Sequence, residues 1–285
     1  MRHYIGQPPF QWSGEINQES EQLRGLVALF HPLMYWRDLL GGYQMTPVGN
    51  AAATGVDAQI GRTYSLDGTD DCAYVTLPDS WKLQRFTVSA WINCTTLGAG
   101  SQVWFSMLPR GAAADGRGVY AYVTNAYIST AIGAGSGSYT QAFLNATRYA
   151  NTLYHVAGSY DGTTLRTWQN GVLVASTSTS ITIAYADKAG AYGPNPASAY
   201  IGNYHDSDNT APDVAVDLIY DTTANIGPVS LYNRALSAAE IWALYDPQTR
   251  WELYATPEYR RWFVPVVTGT NIPRVMHHLR QQGMS

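Results

Sequence analysis

Two dipeptides dictate the local topology in the middle of this chain. Asp161-Gly162 and Asn170-Gly171 separate three runs rich in β-branched and aromatic residues, Leu153–Tyr160, Thr164–Trp168 and Val172–Ala175. Asp-Gly and Asn-Gly tolerate the positive φ angles that tight hairpin turns need. Three such runs joined by two such turns form an antiparallel meander.

The same texture extends both ways. Cys72–Leu77 and Phe86–Ile92 read as strands, Gln102–Met107, Val119–Thr124 and Tyr127–Ile132 continue the series, and Ala199–Asn203 and Ile226–Tyr232 add later ones. Many short strands at close spacing predict an all-β sandwich or barrel. One helix stands out over Ser237–Tyr245: Ser237 and Glu240 have capping-box spacing, and Asp246-Pro247 stops it. Ile241, Leu244 and Tyr245 share one face, expected to close an edge or end of the sandwich. A weaker helix is expected over 273–282.

Three textures divide the 285 residues. Residues 1–25 are polar, with Pro8 and Pro9, and read as an extended arm; residues 26–245 are the β-rich body. Residues 246–285 hold Pro247, Pro257, Pro265 and Pro273 among aromatics and arginines, a second extended arm.

Composition narrows the function. Charged residues make up only 13% and the net charge is −4, so the basic face that nucleic acid requires is not expected. No run approaches the roughly 20 apolar residues that span a bilayer. Met1–Trp12 contains no apolar stretch of signal-peptide type. Cys72 and Cys94 both lie in strand-like runs, as two buried thiols or as a disulfide, without metal-ligand spacing. Asn93 and Asn145 match the glycosylation sequon, read here as chance.

Catalytic chemistry is poorly supplied. Glycosidases use paired carboxylates, about 5 Å apart in retaining enzymes. No glutamate occurs between Glu21 and Glu240. There is no Gly-x-Ser-x-Gly elbow. His155 reads as a structural strand histidine, and His277 and His278 are adjacent and face different directions. The chain is expected not to be an enzyme.

The order of motifs resembles a known family. Leu66-Asp-Gly-Thr-Asp-Asp-Cys-Ala-Tyr-Val75, Phe86-Thr-Val-Ser-Ala-Trp-Ile92, Tyr154-His-Val-Ala-Gly-Ser-Tyr-Asp-Gly-Thr-Thr-Leu-Arg166 and Asn170-Gly-Val-Leu-Val174 are similar to successive strands of laminin G-like, concanavalin A-like lectin-glucanase domains. Ile201-Gly-Asn203 and Asn233-Arg-Ala-Leu-Ser-Ala-Ala-Glu240 resemble their closing motifs, while Tyr154 stands where the family usually has Trp. The resemblance implies an antiparallel two-sheet jelly-roll sandwich with one short C-terminal helix and two arms. The flanks, Glu15–Asn17, Leu23–Leu29 and Arg37–Leu39 before and Trp251–Tyr254, Pro257 and Arg260–Pro265 after, resemble such domains in bacteriophages and prophages.

That resemblance implies a virion structural protein, a head decoration or fibre module that contacts host glycans. The alternative is a dedicated carbohydrate-binding receptor module such as a tail adhesin. Its partners would be other virion proteins, further copies of itself and host surface glycans, its location the extracellular particle. Calcium is the one cofactor the resemblance brings into view, with Asp206, Asp208, Asn209 and Asp213 as its oxygen-rich loop and Asp70 and Asp71 as a second possibility; the other reading of both is solvated turns. The Tyr/Ala/Ser/Gly-rich stretch from Tyr120 to Tyr139 offers a neutral face for a glycan or a protein neighbour. Partner contact falls to the C-terminal arm, through Trp251, Leu253, Tyr254, Tyr259, Arg260, Arg261, Trp262 and Phe263. Arg260 and Arg261 suit forked bonds to carboxylates. The competing reading packs this arm back on its own sandwich.

Overall fold

A computed structural model describes residues 15–97, 100–108, 116–186, 197–203 and 222–254. The strands are β1 (Leu26–Phe30), β2 (Thr46–Val48), β3 (Ala52–Asp57), β4 (Gly61–Asp67), β5 (Cys72–Thr76), β6 (Phe86–Cys94), β7 (Gln102–Leu108), β8 (Arg117–Val123), β9 (Tyr127–Gly135), β10 (Ser138–Asn145), β11 (Leu153–Tyr160), β12 (Thr164–Gln169), β13 (Val172–Ser178), β14 (Ser198–Ile201) and β15 (Thr223–Tyr232). One sheet runs β13-β12-β11-β6-β15-β4-β3 with β1 also on β15; the other runs β10-β9-β8-β7-β14-β5-β2. All pairings are antiparallel, and the sheets pack face to face as a jelly-roll sandwich.

Alternation along the strands builds the core. Phe86, Val88, Ala90 and Ile92 of β6 point between the sheets, where they meet Val119 and Ala121 of β8 and Ile128 and Ile132 of β9. Burying each such large side chain is worth about 1.5–3 kcal/mol. Cys72 and Cys94 are both buried thiols outside any disulfide, one in each sheet. Burial pushes the Cys94 thiol up to about 12, so it stays protonated and inert.

The meander forms as its turn residues require, by two different devices. Asn170 and Gly171 both take positive φ, 51° and 78°, closing a two-residue turn. At the other turn only Gly162 does so, and the Asp161 side chain braces a longer loop by accepting from Thr163 N (2.9 Å) and Thr164 N (2.8 Å). Burial alone would raise the Asp161 carboxyl; the bonds from Arg166 and the two threonines outweigh it and hold it well below the carboxylate range.

Helix α1 (Ala238–Tyr245) carries the expected capping box: Ser237 Oγ accepts from Glu240 N and Glu240 Oε2 from Ser237 N. Arg234 grips the Glu240 carboxylate with two bonds, of 3.0 and 2.6 Å, and is the main cause holding it down to about 2. The helix reaches the edge strand β13 but seats on a sheet face rather than beyond the sandwich's edge. Ile241 is fully buried on the outward face of the eight-stranded sheet, against Ala157, Trp168, Tyr232 and Leu236. That face carries apolar residues in the outward register of β11, β12 and β15, so it needs a cover of its own.

The two ends of the described chain extend this cover. Asn17 N donates to Leu253 O (2.9 Å) and Asn17 Nδ2 to Glu252 O (3.0 Å). Leu253 and Tyr254 are buried against Leu29, which points away from the main core. Strands β1–β4 and β10 went unread in the sequence. In β10 the residues on both faces are largely exposed or half-exposed, so polarity does not alternate along it. The expected helix over 273–282 lies outside the described residues.

Candidate functional site

The sequence-predicted positions fall in different places. Asp206, Asp208, Asn209 and Asp213 lie outside the described residues, as do Tyr259, Arg260, Arg261, Trp262 and Phe263. Trp251, Leu253 and Tyr254 are described: Leu253 and Tyr254 lie buried on the chain's own β1, and Trp251 packs half-exposed beside them.

Asp70 and Asp71 join Asp67 in a group whose carboxylate oxygens lie within 4.8 Å of one another. An oxygen-only set of this kind fits a hard cation. Asp71 is already engaged, its two oxygens accepting from Asn50 N (2.7 Å) and Asp67 N (2.8 Å). Burial foremost raises its pKa against those two bonds. Asp67 Oδ1 accepts from Thr69 N. The group therefore works as the brace of the β4–β5 turn.

His155 sits 2.8 Å through Nε2 from Ser89 Oγ, the spacing of a nucleophile and its base. The pair is buried beneath Trp91 and Tyr245. Burial first, and then the Arg250 charge, push the imidazole down to about 3, which makes it a poor base for serine at neutral pH. The arrangement is a structural hydrogen bond between neighbouring strands.

The outward face of the seven-stranded sheet is different in kind. Residues 46, 74, 200, 106, 120, 131 and 141 stand in register across all seven strands: Thr46, Tyr74, Tyr200, Ser106, Tyr120, Ala131 and Gln141. A second row, Val103, Tyr122, Ser129 and Phe143, runs beside it over β7–β10. Large rings thus alternate with small floor residues, because the pleat sends every second residue of each strand to this side.

The rings touch one another. Tyr120 and Tyr122 stack at 5.6 Å between centroids, Tyr127 stands edge-on to Tyr122 at 5.7 Å, and Phe143 edge-on to Tyr127 at 6.1 Å. Tyr122 OH donates to Gln141 Oε1 (3.2 Å), and burial foremost raises its phenol to about 12, so it remains a donor. Phe143 and Tyr139 are 44% and 54% exposed, so the β8–β10 end of the face is open to solvent. An uncharged surface of joined aromatic rims beside amide and hydroxyl groups suits contact with a neutral polar ligand that also has apolar faces. Sequence reading singled out the stretch from Tyr120 to Tyr139 but missed Phe143, Gln141, Tyr74 and Tyr200, which only register brings to the same face.

The sheet order and the paired faces define a lectin-type jelly-roll sandwich. The sequence profile of the concanavalin A-like lectin/glucanases superfamily matches residues 67–242, and the chain belongs to that superfamily. No curated relative matches it. Among solved structures, domain 4 of AbnA, an extracellular arabinanase from Geobacillus stearothermophilus in complex with arabinotriose, is 17% identical with a TM-score of 0.55; the match covers 78% of this chain and 98% of that one. The binding domain of botulinum neurotoxin DC in complex with SialylT is 11% identical with a TM-score of 0.56, covering 79% of this chain and 52% of that one. A Trypanosoma rangeli sialidase in complex with sialic acid is 18% identical with a TM-score of 0.52, covering 79% and 33%. The chain spans about half the length of the toxin domains and a third of the sialidase. At such identities the likeness is one of fold. Among the described residues no helix is long and apolar enough to cross a membrane.

Proposed function

We propose that the chain is a non-catalytic carbohydrate-binding module that seats a neutral glycan on the outward face of its seven-stranded sheet. The observation that carries this is the joined cluster of Tyr120, Tyr122, Tyr127 and Phe143, with Gln141 oriented by Tyr122. Pyranose and furanose rings present C–H faces to aromatic rings and hydroxyls to amides, and this surface offers both. The arabinotriose complex of a similarly folded domain supports the reading. The test is binding of the full chain to immobilised glycans, repeated with Tyr120→Ala/Phe143→Ala. A bound glycan that the double variant loses is expected; one bound equally by the double variant moves the site off this face.

We propose a bacteriophage particle as its setting, as a head decoration or fibre module, or as a tail adhesin. The flanking motifs, Leu23–Leu29 before the body and Trp251–Tyr254 with Arg260–Pro265 after it, support this. In this reading residues 255–285 dock on other virion proteins or on further copies. A chain cut after Tyr254 keeps the Leu253–Leu29 contact and should fold but fail to occupy particles lacking the protein. Full occupancy by the cut chain assigns attachment to the sandwich.

A further inference from the structure

The outward face of the eight-stranded sheet holds a small cavity of about 40 Å³ beneath residues 250–254, its walls mostly apolar with a few polar atoms among them. About 15 Å³ suffices for one water, so the cavity takes a few water-sized particles and no sugar ring. Five atoms of its lining residues are buried without a hydrogen-bond partner: Gln22 Oε1, His155 Nδ1, Tyr232 OH, Arg250 Nε and Trp251 Nε1. Buried polar atoms are nearly always paired, so five around one cavity point to an occupant.

Arg250 decides the sign of that occupant. It is 6% exposed, with its guanidinium carbon 5.0 Å from the Trp91 ring centroid and 5.4 Å from that of Trp251. Its guanidinium donates from Nη2 to Gln59 O (3.2 Å). No carboxylate among the described residues lies within ion-pair distance of it. Asp246 and Asp57 act on it only from beyond that distance; arginine stays charged in proteins, and a buried charge without a contacting counter-ion is costly. Two of the five atoms, Arg250 Nε–H and Trp251 Nε1–H, are donors only.

We propose that this cavity binds a small monovalent inorganic anion of chloride size, held by Arg250 Nε–H, Trp251 Nε1–H and His155 Nδ1–H. The anion selects the imidazole tautomer that carries its proton on Nδ1, with Ser89 Oγ–H donating to Nε2. Gln22 Oε1 is the one atom of the five that can only accept. Its amide cannot turn over, because Nε2 donates to Ala243 O and Thr249 O, so a water sharing the cavity meets Oε1. The site joins the body strands to residues near both ends of the described chain, and the anion fastens that cover to the sheet.

The test uses the full chain. Melting is followed at constant ionic strength while chloride replaces gluconate, and bromide is located by anomalous scattering in crystals grown with it. A rise of roughly 3 °C is expected at about ten times the dissociation constant. Trp251→Phe keeps a ring and removes the N–H, and should lose most of that rise; a bromide peak should stand in the cavity. A melt indifferent to chloride, a rise that Trp251→Phe retains in full, or a cavity holding only water beside bromide bound elsewhere overturns the assignment. If Trp251→Phe fails to fold, the bromide position in the unaltered protein decides.

Discussion

Leu253 packs on Leu29, and the carbonyl of Leu253 accepts the backbone N–H of Asn17, so the two ends of the described chain meet over the outward face of the larger sheet. Leu253 is 2% exposed. Leu253→Ala should cost about 2–4 kcal/mol, as other buried leucine truncations do. Denaturant melts of the full chain measure it. A cost under about 0.5 kcal/mol would mean that the terminal cover is only loosely held.

On the aromatic face, Gln141→Ala removes the partner of Tyr122 OH without touching the core. Glycan affinity should fall about tenfold, near 1.4 kcal/mol, while the melting temperature stays close to that of the parent. Isothermal titration alongside melting separates the two quantities. An unchanged affinity takes Gln141 out of the site.

Acid should weaken the fold through His31. Its Nδ1 accepts from Leu33 N (3.2 Å), and burial lowers its pKa from 6.5 to about 4. Above pH 6.5 both folded and unfolded forms are neutral and the residue has no effect. As pH falls below 6.5 the unfolded chain takes the proton first, and stability drops by about 1.4 kcal/mol per pH unit until about pH 4. His155 adds a loss of the same sign that continues to about pH 3. His31→Asn keeps an N-cap acceptor that does not titrate, so its melting temperature should decline less between pH 6.5 and 4. Parallel curves for variant and parent would remove His31 from the acid response.

Gly171→Ala should be disproportionately destabilising for a turn substitution. The residue has φ 78°, and an added Cβ would lie 2.8 Å from Trp242 and 3.1 Å from Tyr245 of the covering helix. Backbone strain of order 1 kcal/mol then adds to the displacement of the helix. The same change at Gly137, φ 74° with nothing within 4 Å, supplies the comparison. Equal melting temperatures for the two variants would show that α1 does not depend on the turn.

For calcium, Asp208→Ala and Asp70→Asn form the informative pair. If the loop around Asp208 binds it, chelator should lower the melting temperature of the parent and of Asp70→Asn but not of Asp208→Ala. A parent melt that chelator leaves unchanged returns these residues to turn chemistry.

Local chemistry determined much of this protein from sequence alone. Asn170-Gly171 and Asp161-Gly162 encode the meander, Ser237 and Glu240 encode the start of the helix, and the alternation in Phe86–Ile92 encodes a central strand, because hairpin turns, caps and pleats depend on residues a few positions apart. Register and packing decided the rest. Tyr74, Tyr200, Tyr120 and Gln141 share a row only because antiparallel pairing aligns strands distant in sequence. The landing of α1 on a sheet face, and the meeting of Arg250, His155 and Gln22 around one cavity, depend on which outward side chains needed burial. No spacing in the chain records such long-range alignment, since the free energy that sets it is the burial of surfaces that exist only once both sheets have formed.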